Sequence, residues 1–175
     1  MFAGESEPII ESLKRARRYF GISLTLAIIS LVIWYNKIDG IYIKNFEVVV
    51  SIERFRIMAL SATIMLLYLA ATFLKDALHN SEYIQTLKVA AVVSNFPWVI
   101  SRYAGGEKNE VKNSIILRII YALHPITYIL LYEWSGQPLL LDWILGVVVF
   151  ALSFRLFAFS ERFQDPILFN PNDSP

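Results

Sequence analysis

Cysteine is absent from this chain, histidine occurs twice, and the charges nearly cancel, with 16 Lys and Arg against 15 Asp and Glu. Without cysteine there are no disulfides, thiolate metal sites, iron–sulfur clusters or cysteine nucleophiles. A net charge of +1 provides none of the clustered basic surface that nucleic acid requires. The spacings that mark common active sites are missing too: there is no HExxH, GxSxG or SxxK. The Gly105-Gly106 pair fits neither GxxxxGK[ST] nor GxGxxG, and no strand-like run precedes it.

What the chain has in excess is apolar sequence. Of its 175 residues 56% are hydrophobic, and the mean hydropathy of +0.50 is too high for an ordinary soluble domain. A helix crosses the roughly 30 Å hydrocarbon core with about twenty apolar residues. Four runs meet that length: residues 19–36, 57–74, 114–134 and 138–158. The first two carry no ionisable Asp, Glu, Lys, Arg or His. The third contains Arg118, His124 and Pro125; the fourth carries Asp142 and Arg155 near its ends, where, as with Arg118, snorkelling suffices.

No small-x-small cleavage pattern follows the first run, which reads as an uncleaved signal anchor. The cluster KRARR before it (Lys14, Arg15, Arg17 and Arg18 around Ala16) belongs inside by the positive-inside rule. Four spans return the C-terminus to the same face, with Lys75, Lys88, Arg102, Lys108, Lys112 and Arg162 also inside. Trp34, Tyr35, Tyr132, Trp134 and Trp143 collect at the outer ends, as interfacial aromatics do.

The expected fold is therefore an all-α integral membrane protein with four transmembrane helices, N-in and C-in. Residues 1–18 form an inner N-terminal helix, with Ser6 as N-cap, running into the first span. Its cations sit at lipid headgroups. Residues 37–56 form an outer loop with a small extended segment or hairpin, and Ser51 caps the second span. The inner connection, residues 75–113, holds an interfacial amphipathic helix over 86–100, followed by a glycine-rich polar loop over 103–114. Residues 135–137 are an outer turn, and 159–175 an extended inner tail.

On the third helix Leu117, Arg118, Tyr121, His124, Pro125, Tyr128 and Tyr132 share one stripe. His124 falls near mid-span, and Pro125 deprives the carbonyl of Tyr121 of its helical hydrogen bond; Thr127 can bond back to the carbonyl of Leu123. The ligand- or pore-lining candidates are His124, Tyr121, Tyr128 and Arg118. The competing reading is a histidine hydrogen-bonded inside the bundle. Haem is disfavoured, because His79 and His124 differ in depth by on the order of 20 Å at 1.5 Å per residue. Helix-packing candidates are Gly21, Ser23, Thr25, Ala27 and Ser30 on the first span, with Ala59, Ser61, Ala62 and Thr63 on the second. No internal repeat points to a transporter.

These features fit a non-enzymatic multi-pass protein of a plasma or inner membrane, a structural or accessory subunit of a larger membrane assembly. No cofactor and no metal are expected; its partners are the bilayer and other membrane subunits or another copy. One alternative is a self-associating effector or small channel that places the His124 stripe along a pore. Another is a quinone- or cofactor-binding subunit using His124 and the tyrosines. The cysteine-free background makes the orientation directly testable. Lys44→Cys should react with a membrane-impermeant maleimide in intact cells and Lys108→Cys only after permeabilisation, and the reverse pattern would invert the topology.

Overall fold

The structure, a computed structural model, describes residues 3–38, 40–44, 47–81, 107–134 and 140–164. Helix α1 spans Ala3–Tyr35, strands β1 and β2 span Gly40–Ile43 and Val48–Ser51, and helices α2, α3 and α4 span Ile52–Ser81, Glu107–Trp134 and Leu140–Gln164. The interfacial helix expected at 86–100 lies outside the described residues.

Several helices run beyond the apolar segments that define them. α1 is continuous from Ala3, so Ser6 lies inside the helix instead of capping it. Glu5 and Glu7 favour the start of a helix, and Pro8, near that end, removes only the bond to the carbonyl of Gly4. α3 begins at Glu107, taking in residues 107–113 that glycines and charge had suggested were loop. Nothing after Gly106 breaks a helix there, and Glu107 and Glu110 suit its positive end. α4 reaches Gln164, into the expected tail.

At its other end α1 closes with a Schellman pattern. Lys37 takes a left-handed φ of 51°, its N–H reaches the carbonyl of Trp34 at 3.1 Å, and that of Ile38 reaches Ile33 at 3.2 Å. The chain then enters the expected hairpin, antiparallel, pairing Gly40 with Ser51 and Tyr42 with Val49. Its turn closes through Glu47, at φ 50°, whose N–H lies 3.4 Å from the carbonyl of Lys44. Ser51 caps α2 as expected, with Oγ accepting from the N–H of Arg54 at 3.5 Å.

The helices pack in a ring, α1 beside α2 and α3, and α4 beside α2 and α3. Residues near each other on α1 and α3 rise together in number, Phe20 with Tyr121 and Ser23 with His124, so these two helices run parallel. α2 and α4 run against them: Tyr19 meets Phe73 while Ser30 lies near Ala59, and Tyr121 meets Phe157 while Tyr128 lies on Gly146. The buried positions explain the geometry. On α1 they are Ile9, Leu13, Ala16, Phe20, Ser23, Ala27 and Ser30, spaced alternately four and three apart. α2 repeats the spacing with Arg56, Leu60, Thr63, Leu67, Ala70, Leu74 and Ala77, and α4 with Val149, Ser153, Leu156 and Ser160. This heptad seam is the knobs-into-holes pattern of left-handed bundles.

The seam also changes character along its length. Toward the N-terminus of α1 it interleaves Ile9, Leu13, Phe20, Leu74 and Leu156 with Ala16, Ala70 and Ala77; toward the hairpin hydroxyls enter it, with Ser23, Ser30, Thr63 and Thr127 beside Ala27, Ala59 and Leu60. The outer surface is the reverse, exposing Ile22, Val32, Met65, Ile119, Phe150 and Phe154. Three of the described helices are long and apolar enough to cross a membrane, over Glu7–Tyr35, Ile52–Asn80 and Trp143–Ser160. At 1.5 Å per residue the 33 residues of α1 extend about 50 Å, well beyond a hydrocarbon core of about 30 Å.

One close approach lies between α3 and α4. A Cβ added at Gly146 would overlap the ring of Tyr128 and lie 2.8 Å from its hydroxyl oxygen. Gly146→Ala is therefore expected to destabilise the bundle by about 1–3 kcal/mol. In a Tyr128→Ala background the same substitution should cost far less, which a double-mutant cycle of unfolding in micelles measures.

Candidate functional site

The polar stripe of α3 folds inward. Tyr121, His124, Thr127 and Tyr128 are all buried, His124 to 2% exposure, whereas Arg118 is exposed and separate from them. The side chains of Leu117 and Tyr132 lie outside the described residues.

His124 meets α1. Its Nε2 lies 3.1 Å from Oγ of Ser23, and that hydroxyl lies 2.8 Å from the carbonyl of Phe20. The one serine proton can be placed on the carbonyl of Phe20 or on Nε2, and the imidazole tautomer sets which group donates between the helices. Nδ1 meets no hydrogen-bond partner at proper geometry. The ring of Phe20 lies 5.6 Å from the imidazole and 4.9 Å from Tyr121, and Tyr121 meets Phe157 edge-on at 5.6 Å. Aromatic side chains thus close one side of the histidine.

On its other side is a cavity of about 10 Å³ bounded by Ala27, Ser30, Thr63, Thr127 and Tyr128. That is room for about one water molecule. Two of the hydroxyls already have partners on their own helices: Ser30 donates to the carbonyl of Leu26 and Thr127 to that of Leu123, each at 2.8 Å.

The Ser23–His124 pair uses the same atoms as a hydrolase dyad but not its chemistry. In a catalytic pair the serine proton points at the imidazole, an acid orients the far nitrogen, and donors surround a reachable oxyanion position. Here no acid orients Nδ1, and the adjacent space of about 10 Å³ is too small for a substrate. Among the described residues no three His, Asp or Glu side chains cluster as a metal site. What the arrangement does is join two helices at a fixed register.

The small-residue candidates divide between two surfaces. Ser23, Ala27 and Ser30 are buried in the bundle with Ala59 and Thr63, whereas Gly21, Thr25, Ser61 and Ala62 face outward. The basic cluster divides as well. Lys14, Arg17 and Arg18 border an open surface groove that continues to Gly21 and Thr25. Arg15 instead pairs with Glu11 at 3.1 Å and lies 5.6 Å over the ring of Phe73.

Three positions escape a reading from composition and motif. Arg56, the last residue of the expected outer loop, is 2% exposed at the start of the α2 seam. Gly146 receives Tyr128, and Ser153 is buried on α4. Heptad phase is the signal that identifies Arg56 and Ser153, since each falls in step with buried leucines of its helix. The chain matches no protein family, no curated protein and no solved structure.

Ser23→Ala is expected to cost about 1–3 kcal/mol, because it leaves the imidazole Nε2 buried without its hydrogen-bond partner. Adding His124→Leu should return part of that loss, which unfolding of the single and double variants in micelles checks.

Proposed function

We propose that this chain is a non-catalytic, four-span membrane protein serving as a structural or accessory subunit of a larger membrane assembly. Residues 114–134 and 138–158 supply the third and fourth spans. α3 lies parallel to α1 through the Phe20–Tyr121 and Ser23–His124 contacts, so a membrane crossed by α1 is crossed by α3 as well. Its outward Ile115, Ile119, Ile126 and Ile129 suit that setting.

The observation that carries the reading is the outward placement of Gly21 and Thr25. In lipid, helices associate where small residues let backbones approach. Thr25 donates its hydroxyl to the carbonyl of Gly21 at 3.0 Å, so its polar group is satisfied within α1. A Cβ built on Gly21 meets nothing within 4 Å, which leaves the space beside it open to another helix. At the hairpin, Tyr42 and Val49 pair across the strands and are 60% and 64% exposed, a second apolar contact face.

The inward stripe weighs against the channel reading, because His124, Tyr121 and Tyr128 are consumed by packing within one chain. A pore between copies would be lined by other residues.

Gly21→Leu makes the test sharp, since the bundle itself has room for the new side chain. Purified in mild detergent, the native chain should bring a stoichiometric membrane partner visible by mass spectrometry. Gly21→Leu should weaken that association by about 2 kcal/mol, roughly thirtyfold, with unfolding unchanged. A native chain that purifies alone, as a monomer, would sink the proposal; a partner identical to the chain would make it a homo-oligomer.

A further inference from the structure

Beyond the contacts with partners, the surface between α3 and α4 holds a cleft unlike the sealed interior. Its volume is about 210 Å³, larger than the roughly 150 Å³ cavity that accepts a benzene ring. Ordered along the antiparallel pair, Arg118 and Phe157 border one end, and Pro125 and Phe150 the other, with Ser153 between. Phe150 and Phe154 are largely exposed at its lips, so entry is sideways from the surrounding phase.

Ser153 gives the cleft its chemistry. It lines the wall, is 4% exposed, and its Oγ has no hydrogen-bond partner. A serine on a membrane helix normally returns its proton to a carbonyl one turn back, as Thr25 and Ser30 do here. A hydroxyl kept from that bond inside an apolar wall costs free energy unless something accepts from it. Arg118, exposed at the near end, adds an always-charged donor fork suited to phosphate.

From that end the order is cation, then hydroxyl about 6 Å further along (Phe157 to Ser153 at 1.5 Å per residue), then aromatic and aliphatic wall. A phosphoglyceride has the same order: anionic phosphate, ester carbonyl, acyl chain. We propose that the α3–α4 cleft is a binding site for one anionic phosphoglyceride, its phosphate on Arg118, an ester carbonyl accepting from Ser153, and its chain laid toward Phe150 and Pro125. The cleft is lined by residues of α3 and α4 alone, and Gly21 is not among them. The site requires α3 and α4 in the membrane but no partner.

The test is native mass spectrometry of the full chain in mild detergent, titrated with phosphatidylglycerol or with phosphatidylcholine of the same acyl chains. One phosphatidylglycerol should be retained in preference to phosphatidylcholine by about fivefold, the effect of one cation near a lipid surface. Arg118→Gln, at an exposed position that cannot disturb packing, should abolish that preference. Ser153→Ala should weaken retention of both lipids by roughly fivefold, as expected for one hydrogen bond. Ser153→Leu, which fills the cleft, should prevent retention while circular dichroism stays native. Lys14→Gln, Arg17→Gln and Arg18→Gln together should leave this bound lipid in place. Indifference to both Arg118 and Ser153 substitutions would overturn the proposal. So would loss only in the α1 triple variant, or an isoprenoid quinone, seen by its ultraviolet absorbance, retained in preference to phospholipid.

Discussion

The hydrogen bond between Ser23 and His124 fixes how α1 and α3 lie against each other, and the rest of the interior follows from that register. Once these two residues meet, Phe20 falls on Tyr121 and Ala27 comes beside Thr127 and Tyr128 across the small cavity. A shift of one turn along either helix would bury the imidazole against apolar carbon. In a bilayer the gain from such a bond is modest, about 0.6 kcal/mol on average, because a separated helix also finds partners. The loss on mispairing is larger, about 1–3 kcal/mol for a buried group left unsatisfied. The pair therefore selects an arrangement more than it strengthens one.

Shape complementarity completes what the polar contact selects. Lipid is as apolar as leucine, so burial alone gives helices little reason to meet, and close van der Waals contact takes its place. Gly146 lets the ring of Tyr128 lie directly against the backbone of α4, and the small residues around Ser30, Ala59 and Thr63 bring α1 and α2 together toward the hairpin. Near the N-terminus of α1 the seam turns to Ile9, Leu13 and Leu74.

Much of this was legible in the sequence for physical reasons. Apolar length is imposed by bilayer thickness, so the runs at 19–36 and 57–74 mark α1 and α2 directly. The hairpin followed from β-branched residues around a turn, the cap from Ser51, and the inward stripe from placing Tyr121, His124 and Tyr128 at helical angles. Helix ends were less legible: Ser6 had every local property of a cap, but the helix starts ahead of it, at Ala3, with Glu5 and Glu7 in its first turns. Sequence also identified Gly21 and Ser23 together as packing residues, since composition does not distinguish a face turned inward from one turned outward. Phase against the neighbouring helix does, and that information lives in the pairing of α1 with α3, not in either segment.

Pro125 shows how interior and surface are linked. It sits beside His124 yet on the adjoining face of α3, where it borders the cleft toward α4. Pro125 cannot donate to the carbonyl of Tyr121, and, two residues on, the hydroxyl of Thr127 donates to the carbonyl of Leu123. Its ring folds back on its own backbone, so it cannot project into the cleft as a leucine or isoleucine would. Tyr121, between the two faces, touches Phe20 inside and Phe157 at the cleft. The same short stretch that locks α3 to α1 therefore also keeps open the space between α3 and α4, and repacking one side of the helix has to be felt on the other.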